Sequence, residues 1–370
     1  MGFGVVIAGG GVAAIEGLLR LRRLVGDRAS VTLVAPNDEL VIRAERVSEP
    51  FARPGPTHRP IAELAASVDA RWIRGTLASV DAERRTIRTG AGDELGYDAL
   101  LVAVGGRLAA AYEHATTFRD QAPDAVFGQI VEDIEDGYAK SVGFLAPVGP
   151  TWLLPLYELA LMTAARAHSV GMDDVDLFVV TPDPKPLAEL GERVSIAVSE
   201  LLDRAGVTVH CSSLARVPAA TRLLLEPQDA ELRPDRMIAM PRIAGPSIPG
   251  LPSSGADGFI PIDSHCAVTD HGPVFAAGDA TAFPIKHGGI GAQQADAAAA
   301  AIARLAGAHV ESPPCRPTIE AKLLTGQRPL YLRARLVEGE GFESEVSEEP
   351  LWEGAGKVAA EELGAYLASR

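Results

Sequence analysis

The chain is poor in cysteine and short of positive charge, and each shortage removes a class of reading. Its three cysteines, Cys211, Cys266 and Cys315, are odd in number, far apart in sequence and without paired spacing. Structural disulfides and cysteine-rich zinc sites are therefore poor readings, and each thiol is expected to be a small buried hydrophobe or an incidental group. The eight histidines show no metal-ligand spacing, so no metal is expected. Lys and Arg total 34 against 49 Asp and Glu, and the net charge of −15 repels nucleic-acid phosphates and anionic lipid headgroups. Nucleic acid is not expected as a partner. No apolar run approaches the roughly 20 residues that span a bilayer. The stretch 353–370 is acidic and amphipathic rather than basic, so integral membrane insertion is not expected either. The first apolar strand begins near Phe3, with no room ahead of it for a secretory leader. The protein reads as cytoplasmic.

What is present is enough for two or three domains, since 370 residues with 47% hydrophobic content supply ample cores. The segment Val5-Val6-Ile7-Ala8-Gly9-Gly10-Gly11-Val12-Ala13-Ala14 reads as a buried strand, a tight glycine turn and a helix start. Such a turn aims free backbone N–H groups and the positive end of the helix dipole at a pyrophosphate. By itself it also fits NAD, nucleotide-sugar and methyl-donor binders. A second apolar segment, Val274-Phe275-Ala276-Ala277-Gly278-Asp279-Ala280, closes on Gly-Asp and is followed by Lys286-His287-Gly288-Gly289. Burying an acid costs several kcal/mol unless it is bonded, and the hydroxyls of a flavin's ribityl chain would bond Asp279. Together the two segments read as two walls of one FAD site.

Between them the pattern runs strand 3–8, helix from Ala13 to about Val25 with Ile15, Leu18, Leu19 and Leu24 facing a sheet, and strand 31–34. Where dinucleotide sites usually place a ribose-binding acid, the chain has Ala35, then Pro36, Asn37 and Asp38, so that contact shifts to Asn37 or Asp38 or is lost. Residues 72–80, including Leu77 and Ala78, and residues 86–89 alternate as in a β-meander. The run 97–104 is a buried strand ending in Ala103-Val104-Gly105-Gly106, a glycine pair that lets backbone approach a ligand. From about Arg107 the pattern restarts with a strand at 141–146, a turn, a helix at 156–169, a strand at 175–181, a helix at 193–205 and a strand at 207–210. This reads as a second strand-turn-helix unit inserted in the first. The chain is expected to re-enter the first unit at about Asp235, where 237–241 looks like another of its strands. The connection 245–255, an Ala-rich helix over 291–306 and an acidic loop at 338–349 complete the reading.

With these residues in view, the chain resembles the FAD-dependent pyridine nucleotide-disulfide oxidoreductase superfamily. It is most similar to the branch of sulfide:quinone oxidoreductases, flavocytochrome c sulfide dehydrogenases and type II NADH dehydrogenases. Gly9, Gly11 and Ala14, the 102–106 run, 274–279 and Lys286-His287-Gly288-Gly289 leading into Gln293-Gln294-Ala295 carry the resemblance, which extends to about residue 335. It implies an α/β fold of two Rossmann-like dinucleotide-binding domains in three layers, with the second inserted in the first and a small C-terminal region. The implied divisions are 1–108 plus 235–312 for FAD, 109–234 for an NAD(P)-binding-like unit, and 313–370. The implied cofactor contacts are Gly9, Gly11, Val12, Ala13 and Ala14 at the first turn, then Ala35, Pro36, Asn37 and Arg43 beyond the second strand. Leu77 and Ala78, Ala103, Val104 and Gly105, Gly278 and Asp279, and Lys286, Gly288 and Gly289 complete them. Lys286 and the Gly288-Gly289 turn would face the flavin edge that becomes negative on reduction. His287 is a candidate proton relay or a structural histidine, and Glu158 a flavin neighbour or a bonded structural residue.

The chain also departs from that pattern. It has no Cys-x-x-Cys, which excludes the dithiol chemistry of disulfide reductases, and only Cys315 lies near a position where sulfide-oxidising relatives hold sulfur. The second turn reads Pro147-Val148-Gly149-Pro150-Thr151-Trp152-Leu153-Leu154-Pro155 in place of G-x-G-x-x-G. Each proline removes an N–H and adds bulk where nicotinamide phosphates would lie, so NAD(P)H binding in the usual pose is disfavoured. Trp152 and Tyr157 are either core aromatics or the lining of a pocket for an apolar acceptor. The expected function is an FAD-dependent oxidoreductase passing electrons between a small donor and an acceptor such as a quinone. The alternatives are an NAD(P)H-dependent flavin dehydrogenase and a non-catalytic flavin sensor. Catalytic side chains are unassigned, because the flavin itself transfers the electrons. The Ala-rich helix and residues 323–335 could serve a homodimer contact.

Overall fold

Two five-stranded parallel sheets organise the chain in the computed structural model, which describes residues 2–51, 55–119, 127–337, 341–353 and 356–369. The first has the order Val274–Ala276, Ala99–Val102, Phe3–Ala8, Ala29–Ala35, Arg71–Arg74. Phe3–Ala8 sits at its centre, with Val5 paired to Val31 on one side and to Ala99 on the other. Both sheet faces are covered, which is why Phe3–Ala8, Ala99–Val102 and Val274–Ala276 are nearly continuous apolar runs rather than alternating ones.

One face packs under the helices Val12–Val25 and Gly288–Leu305. Ile15, Leu18 and Leu21 are fully buried there, each contributing about 1.5–3 kcal/mol of burial. Leu21 takes the inward place expected of Leu24, which is only half-buried. The alanines of the second helix allow close approach. A Cβ on Gly17 would stand 2.7 Å from a Leu101 methyl and 3.4 Å from the Ala295 Cβ. The other face is covered by a three-stranded antiparallel sheet, Leu77–Asp81, Thr86–Thr89 and Glu94–Gly96. The run read as one meander strand over 72–80 is therefore divided: Arg71–Arg74 is an edge strand of the parallel sheet, and only Leu77–Asp81 belongs to the meander.

The second sheet has the order Thr116–Thr117, Arg236–Ala239, Ser141–Leu145, Asp176–Val180, Val207–His210. Its helices are Gln129–Glu135, Leu154–Ser169 and Glu192–Arg204. A meander of Leu214–Ala219, Arg222–Glu226 and Ala230–Leu232, not foreseen in the sequence, covers the opposite face. The whole sheet lies in sequence between two neighbouring strands of the first, so one Rossmann-like unit is inserted in the other. The strand at 236–239 corrects the expected return at Asp235, because it pairs with Ser141–Leu145 of the inserted sheet. The chain crosses back one strand later, where Arg242–Ala244 pairs antiparallel with the outgoing Arg107–Ala109.

A three-stranded antiparallel sheet, Thr318–Leu323, Leu330–Val337 and Gly341–Ser347, follows. It corrects the expected acidic loop at 338–349: residues 341–347 form a strand, while 338–340 lie outside the described residues. The last helix, Glu361–Ala368, docks on Val12–Val25, with the buried Glu16 carboxylate accepting from Glu362 N (2.8 Å) and Leu363 N (2.7 Å) at its N-terminus. No described helix is long and apolar enough to cross a membrane.

Candidate functional site

The two glycine motifs touch. A Cβ placed on Gly278 would lie 3.3 Å from the Ala13 Cβ, and one on Gly291 would lie 3.0 Å from Gly278 Cα. The turn before helix Val12–Val25, the Gly-Asp turn and the start of the Ala-rich helix therefore pack as one corner. Gly278 has φ +76°, a backbone that L side chains rarely adopt, and its N–H donates to Gln294 Oε1 at 2.8 Å.

This corner opens into a cavity of about 720 Å³, within the usual range of small-molecule sites. Of the residues named from sequence, Gly9, Gly11, Val12, Ala13, Pro36, Asn37, Arg43, Leu77, Ala103, Val104, Gly105, Gly278, Asp279, Lys286 and Gly288 line it. Four do not. Ala14 and Ala35 are fully buried in packing beneath the turns, where Ala35 would meet a Cβ on Gly10 at 3.0 Å. Ala78 is exposed, because strand alternation that turns Leu77 inward turns its neighbour out. Gly289 is closed off by the His287 ring and the Ala359 carbonyl, which a Cβ there would meet at 3.0 and 3.1 Å. Asp38 also lies elsewhere, paired with Arg74 at 3.2 Å, and the acid on the cavity wall after the second strand is Glu39.

The glycine turn leaves room for a ligand. Gly9 has φ +138°, and a Cβ there would sit 2.1 Å from the Ala103 carbonyl oxygen. Two residues on, no atom of the described residues lies within 4 Å of a Cβ on Gly11. Gly11 also caps the helix without any side-chain bond, and the first helical turn carries no acid. The cradle is thus closed beneath and open above, with helix N–H groups free to meet an anion.

The same cavity is also lined by a polar group that the sequence only half disclosed. Glu158 is fully buried, and its Oε1 accepts from Leu324 N (2.8 Å) and from Lys357 Nζ. Lys357 also donates to the Lys322 carbonyl at 2.5 Å. Burial pushes the Glu158 carboxyl up and the Lys357 ammonium down, and each opposes the other's shift. His287 is held neutral, its pKa pushed down to about 4 by burial and then by Lys357. Its Nδ1 and Glu158 Oε2 have no hydrogen-bond partner among the described residues. Trp152 packs on His287 with ring centroids 4.8 Å apart, and both line the cavity, whereas Tyr157 is a fully buried core residue away from it. Lys286 donates to Thr281 O at 2.5 Å and lies 3.5 Å over the Phe259 ring, and burial brings its pKa down to about 8. Its ammonium is thus engaged by the Thr281 carbonyl and the Phe259 ring. Sequence reasoning missed Lys357, Phe118, Met240, Pro241 and Ile243 as lining, because isolated residues on distant segments carry no local signal. It missed Gly10 as well, although the turn motif contained it.

The proline-rich turn at 147–155 is tied down. Pro150 O accepts from Ile243 N (2.8 Å), and Thr151 Oγ1 donates to Pro241 O (3.0 Å). None of the cysteines lines the cavity. Cys315 is instead packed beside Cys266, on another cavity.

No family model matches the sequence. Several solved structures share its fold. A sulfide:quinone oxidoreductase from Aquifex aeolicus superposes with a TM-score of 0.84 over 94% of this chain and 87% of that one, at 19% identity. A ferredoxin reductase of the CYP199A2 system from Rhodopseudomonas palustris gives 0.69 at 18% identity over 90% and 83%. An NAD-dependent persulfide reductase from A. fulgidus gives 0.64 at 18% identity over 92% and 65%. At these identities the likeness is one of fold.

Proposed function

We propose that the protein is an FAD-dependent oxidoreductase that exchanges electrons between a small donor and an acceptor such as a quinone, through a non-covalently held flavin. The observation that carries this reading is the meeting of Ala13 with Gly278 at the head of a 720 Å³ cavity. Two motifs more than 260 residues apart, each incomplete as a nucleotide site, there form one. The open Gly11 cradle and the helix start at Val12 would hold a pyrophosphate, Asp279 the ribityl hydroxyls, and the N-terminus of helix Gly288–Leu305 the edge where negative charge collects. The bound flavin would supply two-electron exchange. The chain's own residues set access and protons: Trp152, Leu154 and Pro155 give the cavity an apolar wall, while neutral His287 and the Glu158–Lys357 pair could hold a proton at His287 Nδ1 or Glu158 Oε2.

The names of the similar structures, two reductases and a quinone-linked oxidoreductase, agree with this class. The bound and proline-blocked second turn favours an acceptor or donor other than a nicotinamide. We extend the proposal to a division of 1–108 plus about 242–312, 109–241 and 313–370, the expected boundary at 235 moving to the return at 242–244. The test is anaerobic mixing of the flavin-loaded protein with NADH, NADPH and sulfide while flavin absorbance is followed. Slow or absent bleaching by both pyridine nucleotides, with bleaching by sulfide or reoxidation of chemically reduced flavin by a quinone, supports the proposal. Fast bleaching by a pyridine nucleotide moves the protein to the nicotinamide-driven class, and inertness in every arm leaves a flavin sensor.

A further inference from the structure

Cys266 and Cys315 are 49 positions apart in sequence and adjacent in the fold. Cys315 N donates to Ser264 O at 2.6 Å, which fixes the 315 segment against the loop that carries Cys266. Cys266 closes the turn from Asp263 with φ +61°, its N–H donating to Asp263 O (3.0 Å) and its carbonyl accepting from Ala276 N (2.9 Å). Its side chain is buried, whereas Cys315 is only half-buried. Both line a second cavity of about 350 Å³, walled by Pro261, Ala282, Phe283 and Pro317 and separate in its cysteines from the glycine cavity.

We propose that Cys315 and Cys266 form a reactive dithiol that small disulfides, such as oxidised glutathione, convert into an intramolecular disulfide. The Cys315 thiolate attacks one sulfur of the small disulfide, forming a mixed disulfide and expelling one small thiolate, which takes a proton from solvent. Cys266 then loses its proton to solvent and attacks the Cys315 sulfur, expelling the second small thiolate. Two protein thiols are oxidised by two electrons, and one small disulfide is reduced to two thiols.

The environment assigns the order of attack. Cys315 is half-buried while Cys266 is buried, and the proximity of the two thiols lowers the pKa of Cys315 while that proximity and burial raise that of Cys266. The half-exposed residue is therefore the thiolate that meets an incoming disulfide, and the buried one resolves it. Cys211 lies apart, and burial followed by Asp183 raises its thiol.

Full-length protein with its flavin is incubated with oxidised glutathione, denatured in acid, and its thiols are counted and peptides mapped. The expected result is loss of two of the three thiols, no retained glutathione, a linked Cys266–Cys315 peptide, and recovery of both thiols with dithiothreitol. C266S is expected to accumulate one glutathione on Cys315, and C211S to behave as the native chain. Persistence of all three thiols, stable glutathionylation of Cys315 in the native chain, or a bridge that includes Cys211 would overturn the proposal. The peptide map of the native chain decides it even if C266S does not fold.

Discussion

Replacing Gly11 by alanine separates folding from cofactor binding. Gly11 caps the first helix at φ −94° and ψ −173°, a conformation open to any residue, and its added methyl would meet no atom of the described residues within 4 Å. Two effects on the empty protein oppose each other. Loss of unfolded-state freedom stabilises by about 0.4–1 kcal/mol, while alanine is a worse helix cap than glycine by a comparable amount, on the order of 0.5 kcal/mol. The melting temperature of the apoprotein should therefore barely move. The ligand has no such balance. The methyl occupies the space through which a pyrophosphate would reach the helix N–H groups, and a lost hydrogen bond to a charged group is worth about 1.5–3 kcal/mol. At 1.4 kcal/mol per tenfold, FAD affinity should fall roughly ten- to hundredfold. The assay is titration of apoprotein with FAD, followed by quenching of flavin fluorescence, beside thermal melts without flavin. Native affinity in G11A would refute the reasoning, because it would mean that the pyrophosphate does not lie in this cradle.

The remaining predictions follow from other parts of the molecule. Gly9→Ala meets the Ala103 carbonyl at 2.1 Å in a left-handed backbone and should cost more than about 4 kcal/mol, seen as loss of soluble folded protein with or without FAD. Lys357→Met leaves Glu158 buried without its ionic partner, with, among the described residues, only the Leu324 N–H still bonded to it, and should destabilise by about 3–5 kcal/mol in urea melts, with much of that recovered in the double variant E158L/K357M. Asp296 is raised to about 8 by burial and then by Glu16, Glu361 and Glu362. A folded-state pKa above the unfolded one means that its contribution is complete in acid below the ordinary carboxylate range and is lost as pH rises through about 8. Asp296→Asn should therefore match the native melting temperature in acid and exceed it increasingly up to about pH 9; parallel curves would refute the assignment. Asp279→Ala should weaken FAD binding roughly tenfold or more, measured by the same titration as G11A.

The sequence by itself determined the local pieces. An apolar run that ends in a residue needing φ above zero is legible wherever it occurs, and so Phe3–Ala8 with Gly9 and Val274–Ala276 with Gly278 could be read with the helices that follow them. Hydrophobic periodicity likewise disclosed most of the inserted unit. What only the tertiary structure decided were pairings between distant segments. Met237, Ile238 and Ala239 are buried like the central strands of the first sheet, and nothing local says which sheet they join, because parallel strands bury both faces and so carry no pattern naming a neighbour. The alternation over 72–80 hid a change of sheet between Arg74 and Leu77, because an edge strand and a meander strand are both part-exposed and alternate alike. Lys357 reaching Glu158 across 199 residues, and Cys315 resting beside Cys266, depend on where the C-terminal region folds back. Glycine turns are written in single residues, whereas the buried ion pair and the thiol pair are products of packing.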